Sequence, residues 1–172
     1  MSDIAWSTPR NWENGEIPTQ TEFNAHLRDN MRELWHEVAY VEFTADVTVT
    51  SAVAATPTDI VSSGAIVYVA NPILIEFYSP YVNPSANTEL YLSLWDATTG
   101  LMILAAASSD DQARGGGAIH AVRRLTPTAA SHTYKIRGWN SSGSTGLVRA
   151  GAGGTEAAWA PGFIRILAKG GA

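Results

Sequence analysis

From Val41 onward apolar and polar residues alternate. In "VEFTADVTVT", Val41, Phe43, Ala45, Val47 and Val49 interleave with Glu42, Thr44, Asp46, Thr48 and Thr50, the period of a strand with one dry face and one wet face. Similar runs follow at Ala65 to Ala70, Ile73 to Tyr78, Glu89 to Trp95, Leu101 to Ala107, Ala118 to Leu125, His132 to Trp139, Gly146 to Ala150 and Phe163 to Ala168. Turn residues separate them, in "SSG", "NPSAN", "DATTG", "SSDDQARGGG", "TPTAAS" and "NSSGSTG". No internal repeat of fixed period is present, which removes propellers, solenoids and β-helices. Short strands with no helix between them leave a sandwich or barrel, and at this length a jelly roll is the expected form.

Upstream the period changes. "TQTE" is a capping box with Thr19 as N-cap and Glu22 folding back on it, and Pro18 with Phe23 forms a hydrophobic staple. Leu27, Met31, Leu34 and Val38 then follow at spacings of four, three and four, a narrow seam like that of a coiled coil. The pattern predicts an α-helix over residues 19–40, preceded by an extended arm, residues 1–18, and followed by a β domain, residues 41–172. Such a helix is too short to stand alone in water and needs partners. Asn24, one heptad step before Met31, is either solvated or a polar position that sets register.

Three strands are apolar on both faces. Ile73, Ile75 and Phe77 stand against Leu74 and Tyr78; Leu90, Leu92 and Leu94 against Tyr91 and Trp95; Ile164 and Ile166 against Phe163 and Leu167. A two-layer sandwich hides one face of each strand, so the second face calls for a covering loop or another copy of the chain. The seam and the two-sided strands each ask for more copies of the chain, a demand that a cyclic homotrimer satisfies. The expected bundle contacts are Phe23, Leu27, Met31, Leu34 and Val38. Those expected in the β domain are Leu74, Tyr78, Tyr91, Trp95, Ile164 and Ile166.

Composition narrows the partners. Charged residues are only 16% of the 172, against about 25% in ordinary soluble domains, so much of the surface is neutral and open to being covered. A net charge of −5 with 11 scattered basic residues argues against nucleic acid. Arg123 and Arg124, adjacent in an alternating run, are expected on opposite faces of a strand. No cysteine is present, which removes disulfides, thiolate metal sites and cysteine nucleophiles. "MSDIAWSTPR" lacks the form of a secretory signal and no apolar run is long enough to span a bilayer, so no membrane association is expected.

Enzymatic signals are thin. "RGGGA" and "AGAGGTE" lack the strand-to-helix context and lysine of a phosphate loop, and no serine sits in a nucleophile elbow. His26, His36, His120 and His132 show no metal-ligand spacing and are expected solvated or interfacial. Asp110 and Asp111 are too few for a calcium loop. Glu76 and Glu89, set among apolar strand residues, read as buried acids with raised pKa or, more commonly, as rim or interface ion pairs. "NSS" at Asn140 reads as a turn. No catalytic residue, cofactor or metal is expected.

The head of the chain resembles an amino-terminal segment of tailed-bacteriophage structural proteins. The matching positions are Pro9, Arg10, Trp12, Gly15, Glu16, Thr19, Asn24, His26, Arg28, Asp29 and Asn30. The remainder, with its ending "APGFIRILAKGG", resembles the trimeric jelly rolls of tumour-necrosis-factor type that phages use as decoration proteins, head fibres and fibre tips. The resemblance implies a homotrimer with the carboxyl strand near the threefold axis and the helices bundled at one end. The reading is a non-enzymatic virion protein, assembled in the host cytoplasm. It decorates the capsid through its arm, with Trp6, Pro9, Arg10 and Trp12 contacting the major capsid protein or another virion protein. Two alternatives stand beside it: a short tail or baseplate protein whose loops bind a host receptor or glycan, and a lectin or carbohydrate-active jelly roll using Trp95, Trp139 and Trp159.

Overall fold

The computed structural model describes residues 17, 19–23, 35–84, 88–110, 116–141, 145–155 and 158–169. A helical turn, α1 (Gln20–Phe23), is followed by ten strands: β1 (Trp35–Phe43), β2 (Val47–Val49), β3 (Thr58–Val67), β4 (Ile73–Asn83), β5 (Thr88–Asp96), β6 (Leu101–Asp110), β7 (Gly117–Leu125), β8 (Ser131–Asn140), β9 (Gly146–Arg149) and β10 (Gly162–Lys169). The chain is mainly β.

Strand pairing defines the architecture. β1 pairs with β10, β3 with β8, β4 with β7 and β5 with β6, all antiparallel, so the eight long strands form nested pairs of one extended hairpin. Rolling that hairpin joins β10 to β4 and β8 to β5. Two sheets result, β1-β10-β4-β7 and β3-β8-β5-β6, with β9 and β2 extending the first beyond the end of β4. This nested double Greek key is a jelly roll. Below, the sheets are named for their inner strands β10 and β8.

The core lies between them, where alternation aims Ile73, Ile75 and Phe77 of β4 and Ile164 and Ile166 of β10 at Leu90, Leu92 and Leu94 of β5 and Ile136 of β8. Ile164 and Ile166 are 0% exposed. They therefore fill the core and are unavailable to another subunit, which corrects their expected role as trimer contacts. Gly162, opposite Phe43 in register, leaves room for the Phe43 ring, and a Cβ there would fall inside that ring. Gly162→Ala is expected to cost about 1–3 kcal/mol by overpacking, read as a lowered urea midpoint.

Three sequence boundaries move. Trp35 and Val38 lie in β1, so the helix expected over residues 19–40 does not extend through them and Val38 is not a bundle contact. The register of β1 on β10 shifts between Glu37 and Ala39. This bulge interrupts the two-residue period and gives the apolar positions a helix-like spacing. "SSG" is not a turn but an irregularity within β3, where the register shifts between Ser62 and Ala65 and Gly64 has a φ of 74°. The single strand expected from Val41 to Thr50 is two, β1 and β2. Trp6, Pro9, Arg10, Trp12, Asn24, Leu27, Met31 and Leu34 lie outside the described residues, as does the side chain of Phe23.

The sandwich has two distinct ends. Trp35 pairs with Lys169, whose N–H donates to the Pro72 carbonyl, and Ile73 pairs with Leu125. At the far end, Val82 pairs with Gly117, Thr88 with Asp110 and Leu90 with Asn140. Those far strand ends flank "NPSAN", "SSDDQARGGG" and "NSSGSTG".

Candidate functional site

An apolar crevice between the sheets, lined by Phe77, Leu104, Ile119 and Ile136 with Arg123 at its edge, has about 20 Å³ of free space, room for one water. Among the described residues no three His, Asp or Glu gather as a metal site, and no helix is long and apolar enough to cross a membrane. The two outer sheet faces hold the functional candidates.

The outer face of the β10 sheet is built in three rows, each crossing β1, β10, β4 and β7. The rows read Glu42, Phe163, Tyr78, His120; then Tyr40, Arg165, Glu76, Val122; then Glu37, Leu167, Leu74, Arg124. The two central strands thus present Phe163 beside Tyr78 and Leu167 beside Leu74, with the Arg165–Glu76 pair between them. Aromatic contacts continue across the sheet: ring centroids lie 5.3 Å apart for Tyr40 and Phe163, and 5.6 Å for Phe163 and Tyr78. Tyr40 is 45% exposed and Val122 48%, while Trp35 lies under the Arg124 guanidinium at 5.7 Å. Aromatic and aliphatic patches thus flank a central, internally paired charge, a mixed surface of the kind found at protein interfaces.

The rim is asymmetric. β1 carries Glu37 and Glu42 and no lysine or arginine, whereas β7 carries Arg123 and Arg124 and no acid. As expected, the two arginines face opposite ways, Arg124 opposite Leu74 and Arg123 opposite Ile75.

Glu76 is the electrostatic centre of this face. Arg165 Nε donates to its Oε2 at 2.8 Å, and its Oε1 lies 2.7 Å from His120 Nε2. Burial pushes the Glu76 carboxyl up, but hydrogen bonds and charge from His120 and Arg165 outweigh burial and hold it below the ordinary glutamate range. The ion-pair reading of Glu76 holds and the raised-pKa reading does not. Because the folded pKa is the lower one, the stabilisation is complete above the unfolded value. It is lost as pH falls through the folded value, on the acid side of the ordinary glutamate range.

The outer face of the β8 sheet differs in kind, because each of its half-buried rings is held by a neighbour in the chain. Tyr91 stacks on Trp139 at 5.1 Å and 10°, and the Arg137 guanidinium lies 5.4 Å over Trp95. Trp95 Nε1 donates to Ser93 Oγ at 2.7 Å, and Tyr91 bonds Glu89. Asp59 receives Lys135 Nζ at 2.5 Å and Arg137 Nε at 2.6 Å. Burial raises the Asp59 pKa, but its two cationic partners overcome that and leave it lowered.

The six β-domain positions expected at one subunit contact are therefore divided among three places. Leu74 and Tyr78 lie on the outer β10 face, Tyr91 and Trp95 on the outer β8 face, and Ile164 and Ile166 in the core. Trp159 belongs to none of these, stacking on Tyr81 at 5.2 Å. Asn140 is 0% exposed and donates from Nδ2 to Thr88 Oγ1 at 3.2 Å, so it is neither an exposed turn residue nor open to glycosylation.

One polar cluster has no signature in the sequence. His132, expected at the surface, is 4% exposed. Its Nδ1 lies 2.7 Å from Asp96 Oδ2 and its Nε2 2.9 Å from Thr128 Oγ1, while Asp96 Oδ1 accepts from the Thr98 and Thr99 N–H groups. Burial raises the Asp96 pKa, but these hydrogen bonds, that of His132 first, overcome it and lower it. The order hydroxyl, imidazole, carboxylate is that of a nucleophilic triad. Here the enclosed imidazole ties together the ends of β5 and β8 and the segment joining β7 to β8.

Neither protein-family models nor curated proteins give a match to this chain. Among solved structures, Eiger TNF from S. frugiperda is 15% identical, over 80% of this chain and 96% of its own, with a TM-score of 0.44. A pentameric capsid protein from metagenomic phage sequences is 12% identical over 93% and 82%, with a TM-score of 0.31. The carbohydrate-binding module CBM6cm-2 of Cellvibrio mixtus lichenase 5A is 14% identical over 76% and 88%, at 0.33. Superpositions this loose carry no argument about role, and the jelly-roll assignment rests on the strand order.

Proposed function

We propose that the chain is a non-enzymatic structural protein of a tailed-bacteriophage particle, a homotrimer that decorates the capsid and is held there by its amino-terminal arm. The observation that carries self-association is the outer face of the β10 sheet, with its Phe163–Tyr78 and Leu167–Leu74 patches on either side of the Arg165–Glu76 pair. β10 lies inside this sheet, in keeping with a carboxyl strand near a threefold axis. An acidic β1 edge and a basic β7 edge favour head-to-tail contact, in which the edge of one copy meets the opposite edge of the next and the ring closes. The phage assignment and the role of Trp6, Pro9, Arg10 and Trp12 rest on the amino-terminal segment.

Deleting residues 1–18 is expected to leave a folded trimer by light scattering that no longer incorporates into particles. A truncated protein that still decorates particles refutes the role of the arm, and a monodisperse monomer of the intact protein refutes the trimer. The receptor-binding alternative gains from the grouping of three loop-flanking strand ends at the end remote from Trp35. Loss of host adsorption after loop exchange, with assembly intact, would favour it over decoration.

A further inference from the structure

The outer face of the β8 sheet is not used by the proposed self-association, and it is organised for a different kind of ligand. In register, Tyr91 faces Trp139, Ser93 faces Arg137 and Trp95 faces Lys135. Four residues along β5 separate Tyr91 from Trp95, about 13 Å of strand. The face therefore has an aromatic group at each end and fixed polar groups between. On the β6 side, the residue facing Ser93 is the exposed Ala105, whose short side chain leaves a low shelf beside the two aromatic ends.

We infer that this face is a binding site for a short, uncharged oligosaccharide. The charges decide the class. Asp59 and Glu89 balance Lys135 and Arg137 in number; Asp59 holds both cations and Glu89 accepts from the Tyr91 hydroxyl, so the face is neutral overall and neither sign of ligand charge is favoured. What remains is apolar ring surface beside oriented donors and acceptors, the combination that suits a ligand with alternating C–H faces and hydroxyl groups. Pre-orientation matters as much as identity. The Trp95 indole is pinned to Ser93, the Arg137 fork to Asp59 and the Tyr91 ring to Trp139, so little side-chain freedom is lost on binding.

The test is calorimetric titration of the full-length protein with a panel of soluble uncharged hexose and N-acetylhexosamine oligosaccharides, and with sulfated counterparts. Saturable binding of at least one uncharged oligosaccharide is expected. Trp95→Ala and Trp139→Ala should each weaken it roughly tenfold or more, and Trp159→Ala should leave it unchanged. Asp59→Asn, nearly isosteric, gives a second variant that releases the Arg137 fork while sparing the rings; it should weaken binding with the thermal midpoint nearly kept. The inference is overturned by absence of binding at millimolar concentration, by binding that all these variants retain, or by binding confined to sulfated ligands. A fall in oligomer mass in Trp139→Ala or Trp95→Ala would also overturn it, by making this face a subunit contact. Failure on the first three counts leaves the assembly reading untouched.

Discussion

Phe163→Asp is expected to convert the proposed trimer into a folded monomer, with a threefold fall in mass by light scattering and an unchanged β-type circular dichroism spectrum. Phe163 sits at the centre of the outer β10 face, between Tyr40 and Tyr78, with its backbone paired to Glu42 and Tyr78. Inside one subunit the substitution exchanges a half-buried ring for a carboxylate that water still reaches, so folding survives. Inside an assembled interface the same carboxylate is stripped of water on the face that carries Glu76, whose charge Arg165 already balances. Desolvation of an unpaired charge costs several kcal/mol per copy, and a cyclic trimer incurs it three times. The matching change on the other sheet, Tyr91→Asp, should leave the mass unaltered. A mass lost through Tyr91→Asp and kept in Phe163→Asp would transfer self-association to the β8 sheet.

His132→Ala should be the most destabilising polar substitution, at about 3 kcal/mol. It removes the partner of Asp96 Oδ2 inside the protein and opens a cavity beside Tyr68 and Tyr134, whose rings lie 6.1 Å from the imidazole. A urea midpoint within experimental error of the parent would show that the cluster is dispensable. The variant should also flatten the acid limb of the stability curve. The lowered pKa of Asp96 stabilises the fold fully above its unfolded value and progressively less as pH falls through the folded one, and loss of His132 weakens the interaction that lowers it.

How much of this was legible in the sequence depends on the range of the interactions involved. β4, β5, β8 and β10 were readable because strict alternation over whole strands reports local geometry. The first part of β1, before Val41, was not, because the bulge near Val38 mimics a helical spacing and the pairing with β10 that overrides it is made more than 120 residues away. The first part of β3, before Ala65, was hidden by Ser62–Gly64, residues with turn chemistry placed inside a strand. The candidate surface was half legible: Leu74 and Tyr78 were found, but the phase of β10 was taken the wrong way. Arg165 held the missing signal, since it shares a face with Phe163 and Leu167 and so marks that face, rather than that of Ile164 and Ile166, as the wet one. Nothing local announces the His132 cluster, whose members Asp96, Thr128 and His132 come together only when the sandwich closes.

The two ends of the sandwich give a practical polarity for display. A peptide grafted between Pro84 and Thr88, or between Ser141 and Thr145, leaves from the end remote from Trp35. The same peptide placed between Val67 and Ile73 leaves from the opposite end, beside Trp35. Were the proposed arm to anchor the protein from the Trp35 end, the first graft would stand outward as an epitope and the second would be shielded from antibody.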